Sequence, residues 1–278
     1  MTNRPARQSA IPAGAGLPVW LGAHHPLGLM FFGASLLMAL ALFVDAPLYL
    51  IGAALPVETR QAFGQVTGVG NGGWSLCCAV ALILGFGRAA RRGEWRAAIL
   101  YRHGAGLAGY VLTCILVSGV MVNVLKALIG RARPGGVGDG AFAFGMMAQG
   151  RSWESFPSAH TATIFALAVA LSGLFPRLRL IFLTMALWVG LSRIMIGAHW
   201  ASDVCAGAAL GTACALGARL AFARRGRAFV WRAGVFSGRT RRLSQLIRHD
   251  LLAQAGQIGR AIGALPLPGL ARLRRTGA

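Results

Sequence analysis

The sequence predicts an all-α integral membrane protein built as a bundle of six transmembrane helices. Three observations lead there. Of the 278 residues, 56% are hydrophobic and only 13% charged, whereas a soluble domain carries about a quarter charged residues. Mean hydropathy is +0.61. Six apolar runs, near 27–46, 72–87, 105–125, 161–175, 180–197 and 203–222, approach the length of about 20 residues that crosses a bilayer as a helix.

Taken in order, residues 1–26 contain proline and glycine but no continuous apolar core, so they read as a cytoplasmic tail and not as a secretory signal. The first run is then an uncleaved span. Residues 47–71 are expected to form an outer loop with Asp45, Glu58 and Arg60 at or near its edges. Its Gly68-Val69-Gly70-Asn71-Gly72-Gly73 stretch resembles a nucleotide-binding loop only faintly. It follows no predicted strand, so a turn before the second span is expected. Residues 88–104 read as a basic inner loop and 126–160 as a long outer loop, glycine-rich at 135–138 and apolar at 141–147. That apolar stretch suits either a membrane interface or packing on the helix ends. The second and fourth runs are short and count as spans because the others force a consistent topology. Residues 27–222 thus form one six-span domain. Residues 223–278 form a basic tail in which Leu243, Leu246, Ile247, Leu251, Ile258 and Ile262 recur at helical spacing between arginines. An amphipathic helix on the anionic inner leaflet is expected there, with a disordered tail as the alternative.

The net charge of +21 raises nucleic-acid binding as a first reading, but its distribution excludes it. With six spans and both termini inside, 22 of the 28 Lys+Arg residues fall on inner segments, twelve of them between Arg224 and Arg275. The outer face keeps Arg60, Lys126, Arg131, Arg133, Arg151 and Arg193. Positive-inside asymmetry accounts for the excess. No nucleic-acid partner is expected; the expected partner at this point is the membrane. Cys77, Cys78, Cys114, Cys205 and Cys214 all fall in predicted spans without metal-ligand spacing to histidine, and read as small buried hydrophobes with no disulfide framework.

The chemistry-bearing residues cluster in three short motifs. Lys126, the one lysine in the chain, stands seven residues before Arg133-Pro134. If helix continues toward Gly130, the two cations lie about 10 Å apart along the axis, and Pro134 turns the chain so that both can converge on one anion. Arginine supplies a paired donor fork for phosphate oxygens and lysine a compact charge. Ser158 directly precedes the fourth run and is a natural N-cap. The backbone N–H groups of Ala159 and His160 would then open from a helix N-terminus onto an anion. His160 is placed there to protonate a leaving oxygen. His199 and Asp203, four apart, share a face if helical, so the carboxylate can accept from one ring nitrogen and leave the other free to attack. Arg193 stands six residues before His199. Ionisable groups at a membrane boundary are costly without partners, which marks the cluster as functional.

In order and spacing these residues resemble the type 2 phosphatidic acid phosphatase (PAP2) family. The family pattern is Lys-six-Arg-Pro, Pro-Ser-Gly-His, then Ser-Arg-five-His-three-Asp. Here it reads Lys126 to Arg133-Pro134, Pro157-Ser158-Ala159-His160, and Ser192-Arg193 to His199 and Asp203. The resemblance implies that His199 is the nucleophile, forming a phosphohistidine, and that Asp203 orients it. It implies that His160 is the general acid, and that Lys126, Arg133, Ser158, Arg193 and the Ala159 N–H hold the phosphate. It implies no cofactor and no metal, because the cations supply the electrostatic stabilisation. Ala159 replaces the family's glycine; the N–H is kept and φ is negative at a helix start, so activity is expected to survive.

The implied function is hydrolysis of a lipid phosphate: phosphatidic acid, phosphatidylglycerophosphate, undecaprenyl pyrophosphate or lipid A. The expected topology puts all three motifs on the outer face, the periplasmic side of a bacterial inner membrane. Arg131 and Arg151, beyond the motif, suit a polyanionic headgroup such as that of lipid A. The alternatives are phosphotransfer to an acceptor hydroxyl through the same intermediate, or a non-catalytic headgroup-binding protein. The latter has no need of a histidine–carboxylate pair.

Overall fold

The computed structural model describes residues 26–136, 141–145, 147, 150–225, 229–232 and 235–238. Residues 1–25 of the expected 1–26 tail and the expected amphipathic helix beyond residue 238 lie outside the described residues. Eight α-helices follow in order: α1 Pro26–Phe43, α2 Asp45–Ala53, α3 Val57–Gly68, α4 Gly72–Arg92, α5 Trp95–Ile129, α6 Ala159–Leu174, α7 Arg179–Met195 and α8 Ala201–Arg224. Among the described residues the fold is all-α save for one antiparallel hairpin, β1 Phe229–Arg232 with β2 Val235–Gly238, which the sequence reading did not anticipate.

Apolar helices occupy all six expected positions. Four segments are long and apolar enough to cross a membrane: Val57–Arg92, Ala97–Ile129, Pro176–Met195 and Ala201–Arg224. The pair Gly28–Phe43 and Asp45–Ala53, bent by 46°, makes a fifth if counted as one span. Helix α6, at 16 residues, rises about 24 Å, short of the roughly 30 Å hydrocarbon core. Burial explains how so short a helix lies at the centre. Thr161, Ala162, Ile164, Ala166, Leu167, Ala168, Ala170 and Leu174 are all buried, so α6 meets protein where α1 and α7 present Phe31, Phe43, Leu180 and Leu187 outward.

Small residues permit this central position. A Cβ on Gly207 of α8 would stand 2.6 Å from the Ser158 carbonyl, and one on Gly211 would collide with the Ala162 carbonyl. The backbones of α6 and α8 therefore touch, the close approach that paired glycines four apart allow where lipid gives helices no hydrophobic drive to associate. Tyr110 and Cys114 of α5 pack with Ala166 and Ala170 of α6 and Ala215 of α8; Ile115 packs with Ile164, Leu167 and the α7 residues Ala186 and Val189.

Two expected loops are mostly helix. The region 47–71 folds into α2 and α3, and the basic segment 88–104 is consumed by the ends of α4 and α5, leaving Gly93 and Glu94 between them. Their charged and polar residues masked helices that tertiary packing stabilises. Gly68–Gly73 is a turn, as expected, with the Asn71 side chain accepting from the Gly73 N–H at 2.9 Å. The cysteines are all free, but only Cys114 is buried; Cys77, Cys78 and Cys205 face outward from apolar helices.

Candidate active site

The C-terminal ends of α5 and α7 and the N-terminal ends of α6 and α8 meet at one end of the bundle and deliver the three motifs, the third shared between α7 and α8. Lys126 lies in the last turn of α5, before Gly130 ends the helix. Arg133 follows in a strap pinned to the far part of the same loop. Its N–H donates to the Ser152 carbonyl at 2.9 Å, the Ala132 N–H donates to Ala143 at 2.9 Å, and the Ser155 N–H donates to Arg131 at 3.0 Å. An Arg133 Nη2 donates to the Glu154 carbonyl at 3.4 Å.

Ser158 holds the N-cap position of α6 and is fully buried. Its side chain makes no capping bond, contrary to the sequence expectation; instead its Oγ accepts from Thr161 Oγ1 at 3.0 Å, and its backbone N–H donates to the Asp203 carbonyl at 3.1 Å. The fixed neighbours Asp203 and Thr161 outcompete the local cap. Ala159 and His160 open the helix, and the His160 Cβ packs against the Val69–Asn71 turn at Gly70.

After α7, Gly197 at φ +69° turns the chain back, a conformation glycine adopts without penalty. The Ala198 and His199 N–H groups both reach the Arg193 carbonyl, at 3.0 and 3.3 Å. His199 therefore precedes α8 rather than belonging to it. Its Nδ1 lies 2.8 Å from the Ser155 carbonyl and 3.8 Å from Asp203 Oδ2. This corrects the expected hydrogen bond to Asp203. A carbonyl only accepts, so Ser155 fixes the Nδ1–H tautomer and leaves Nε2 with its lone pair, while Asp203 acts on the ring through charge. Burial pushes the imidazole down to about 4, opposed by the Asp203 carboxylate and reinforced by Arg193 and Arg133. The ring is therefore neutral at neutral pH.

Lys126, Arg133, Arg193 and His199 all act electrostatically on His160, and Lys126 also feels Arg133, Arg193 and Asp203. The structure thus gathers the motif side chains into one cluster. Arg193 is 8% exposed; an Nη1 donates to Thr67 Oγ1 at 2.9 Å, and its buried Nε has no hydrogen-bond partner among the described residues.

Sequence reasoning missed the residues beneath this cluster. Arg131 is 2% exposed, with its Nη2 2.7 Å from Asp45 Oδ2, its Nη1 2.5 Å from Asp203 Oδ1, and further bonds to Ser202 Oγ and the Ala141 carbonyl. It therefore cannot meet a lipid headgroup, which corrects the role expected for it. Ser155 Oγ donates to Asp203 Oδ2 at 2.5 Å, and the Trp200 N–H donates to the same oxygen at 2.9 Å. A carboxylate at the end of an apolar run, as Asp45 is, signals a buried partner in sequence, but nothing there names Arg131.

The PAP2 superfamily pattern matches residues 107–227. The lipid A 1-phosphatase of Rhizobium etli is 37% identical over 194 residues, 68% of this chain and 81% of the relative. That of Rhizobium johnstonii is 36% identical over 201 residues, 70% and 80%. Two crystal structures are similar at 22% identity. That of Aquifex aeolicus LpxE has a TM-score of 0.46, covering 63% of this chain and 94% of the other. That of a transmembrane PAP2-type phosphatidylglycerolphosphate phosphatase from Bacillus subtilis has a TM-score of 0.49, covering 70% and 94%. The chain belongs to the PAP2 superfamily of membrane proteins. Within it, the chain is a bacterial lipid phosphatase, a multi-pass membrane enzyme that hydrolyses a lipid phosphate.

Proposed function

We propose that this chain removes a phosphate from a lipid A-type substrate at the periplasmic face of the inner membrane, without a metal, through a phosphohistidine on His199. The observation that carries the reading is the His199 environment: Nδ1–H committed to the Ser155 carbonyl, Nε2 free, and a buried carboxylate 3.8 Å away. Nε2 attacks phosphorus as the bond to the lipid oxygen breaks, and His160 gives that oxygen a proton. Water then attacks the phosphohistidine, His160 takes its proton, and inorganic phosphate leaves with His199 restored. Lys126, Arg133, Arg193, the Ser158 hydroxyl and the Ala159 N–H hold the phosphate oxygens, supplying the charge a metal otherwise brings.

The names of the two Rhizobium relatives favour the lipid A 1-phosphate over other lipids. The arginine excess on the opposite side supports the periplasmic placement and six crossings, with residues 1–26 and 223–278 as cytoplasmic tails around a 27–222 catalytic domain.

The test is phosphate release by purified protein in detergent with EDTA. The substrates are lipid A, phosphatidic acid, phosphatidylglycerophosphate and undecaprenyl pyrophosphate, with His199→Ala alongside. Release fastest from lipid A and lost in the variant is expected. A new phospholipid in place of free phosphate would mean phosphotransfer, and activity surviving in His199→Ala would overturn the mechanism.

A further inference from the structure

The catalytic carboxylate Asp203 shares its guanidinium. Arg131 contacts both Asp203 and Asp45, and all three side chains are sealed from solvent. Asp45 is further committed: Oδ1 accepts from the Ser202 N–H at 2.8 Å, and Oδ2 accepts from Ser202 Oγ at 2.6 Å and from Arg131 Nη2 at 2.7 Å. Asp45 begins α2 at the 46° bend after α1, outside the 107–227 segment that carries the superfamily pattern.

An Arg131–Asp203 pair alone would be neutral. Adding Asp45 makes the group one carboxylate in excess, and a buried excess charge is costly unless something offsets it. What lies beside it is His199. In the resting enzyme the ring is neutral. Once Nε2 carries phosphoryl while Nδ1 keeps its proton, the ring is a cation. The excess charge and the ring charge then cancel at the step that needs it.

We propose that Asp45 is a positioning residue for the phosphatase reaction: by sharing Arg131 it prevents that guanidinium from cancelling the negative charge that Asp203 offers to His199. The inference rests on His199 being the nucleophile. It makes the first helix pair, which carries no family motif, part of the catalytic electrostatics.

The experiment compares Asp45→Asn, Ser202→Ala and the double variant Asp45→Asn/Arg131→Gln, all purified in detergent, with kcat, KM and melting temperature measured on phosphatidic acid or lipid A. Asp45→Asn removes the charge and keeps the shape; Ser202→Ala breaks hydrogen bonds in the same network and keeps the charge. Asp45→Asn is expected to lower kcat about tenfold or more with KM within about twofold, and Ser202→Ala to stay within about threefold of wild type. The double variant, with the excess of one carboxylate restored, is expected to regain most of the lost kcat. Equal losses in Asp45→Asn and Ser202→Ala would mean a merely structural role and overturn the proposal, as would a folded double variant slower than Asp45→Asn. If the double variant does not fold, the comparison of the two single variants decides. Wild type active with Asp45→Asn unaffected overturns this inference alone; wild type inactive on every lipid overturns the proposed reaction, and this inference with it.

Discussion

Replacing Asp203 by asparagine removes the negative charge beside His199, the proposed nucleophile, while keeping its shape. In the folded protein Asp203 Oδ2 stands 3.8 Å from His199 Nδ1. At about that separation, a unit charge pair seen through an effective dielectric of about 20 interacts by about 4 kcal/mol. The ring gains between half and all of a unit charge as the N–P bond forms, so the transition state loses about 2–4 kcal/mol, or about 30- to 1000-fold in rate. Nδ1–H stays bonded to Ser155, so ring orientation persists, and Asp203 is not among the groups holding phosphate. The loss should therefore fall on kcat, with KM within about threefold. The assay is initial-rate phosphate release over a range of lipid concentrations, with the melting temperature recorded because Arg131, Ser155 and the Trp200 N–H each lose a carboxylate partner. A folded Asp203→Asn protein with kcat within about threefold of wild type would refute the electrostatic role.

Three further predictions follow from the same geometry. His199 is held down to about 4, so it stays deprotonated through mild acid and the acid limb of kcat/KM falls near pH 4; an acid limb near 6.5 would contradict the burial argument. Because its folded value is depressed, this group adds stability above the unfolded value of about 6.5 and loses it as pH falls toward the folded one, so the melting temperature should drop across that window. Thr67→Val releases Arg193 from its 2.9 Å hydroxyl contact; KM should rise severalfold with kcat little changed, and Thr67→Ser should restore it. Gly211→Val places a side chain against the Ala162 carbonyl, which should separate α6 from α8 and abolish folded, active protein in detergent, as size-exclusion and melting profiles would report.

What the sequence revealed is what periodicity and short spacing encode. Apolar length located the helices, and residues 126–203 displayed the proposed catalytic set because each motif is local: Lys126 and Arg133 flank one helix end, and Ser158 and His160 open another. The pairing of His199 with Ser155 was hidden because it joins residues 44 apart through a backbone carbonyl, a partner every residue possesses. Arg131 was misread for a related reason. Flanked by Lys126 and Arg133, it looks like one more surface cation, and only the fold brings Asp45, 86 residues away, against it. The segment of α2 and α3 reads as loop because Glu58, Arg60 and Gln61 of α3 break the apolar run, whereas Leu48 and Phe63 pack around Ile194, Met195 and Ala201 at the ends of α7 and α8.

The most direct test of the central claim is to trap the intermediate. Enzyme mixed with lipid carrying labelled phosphate, quenched within one turnover and kept alkaline, should hold label on His199, stable to alkali, released by acid and missing from His199→Gln. Lipid turned over by wild type with no alkali-stable label at any quench time, or with label on another residue, would contradict the account.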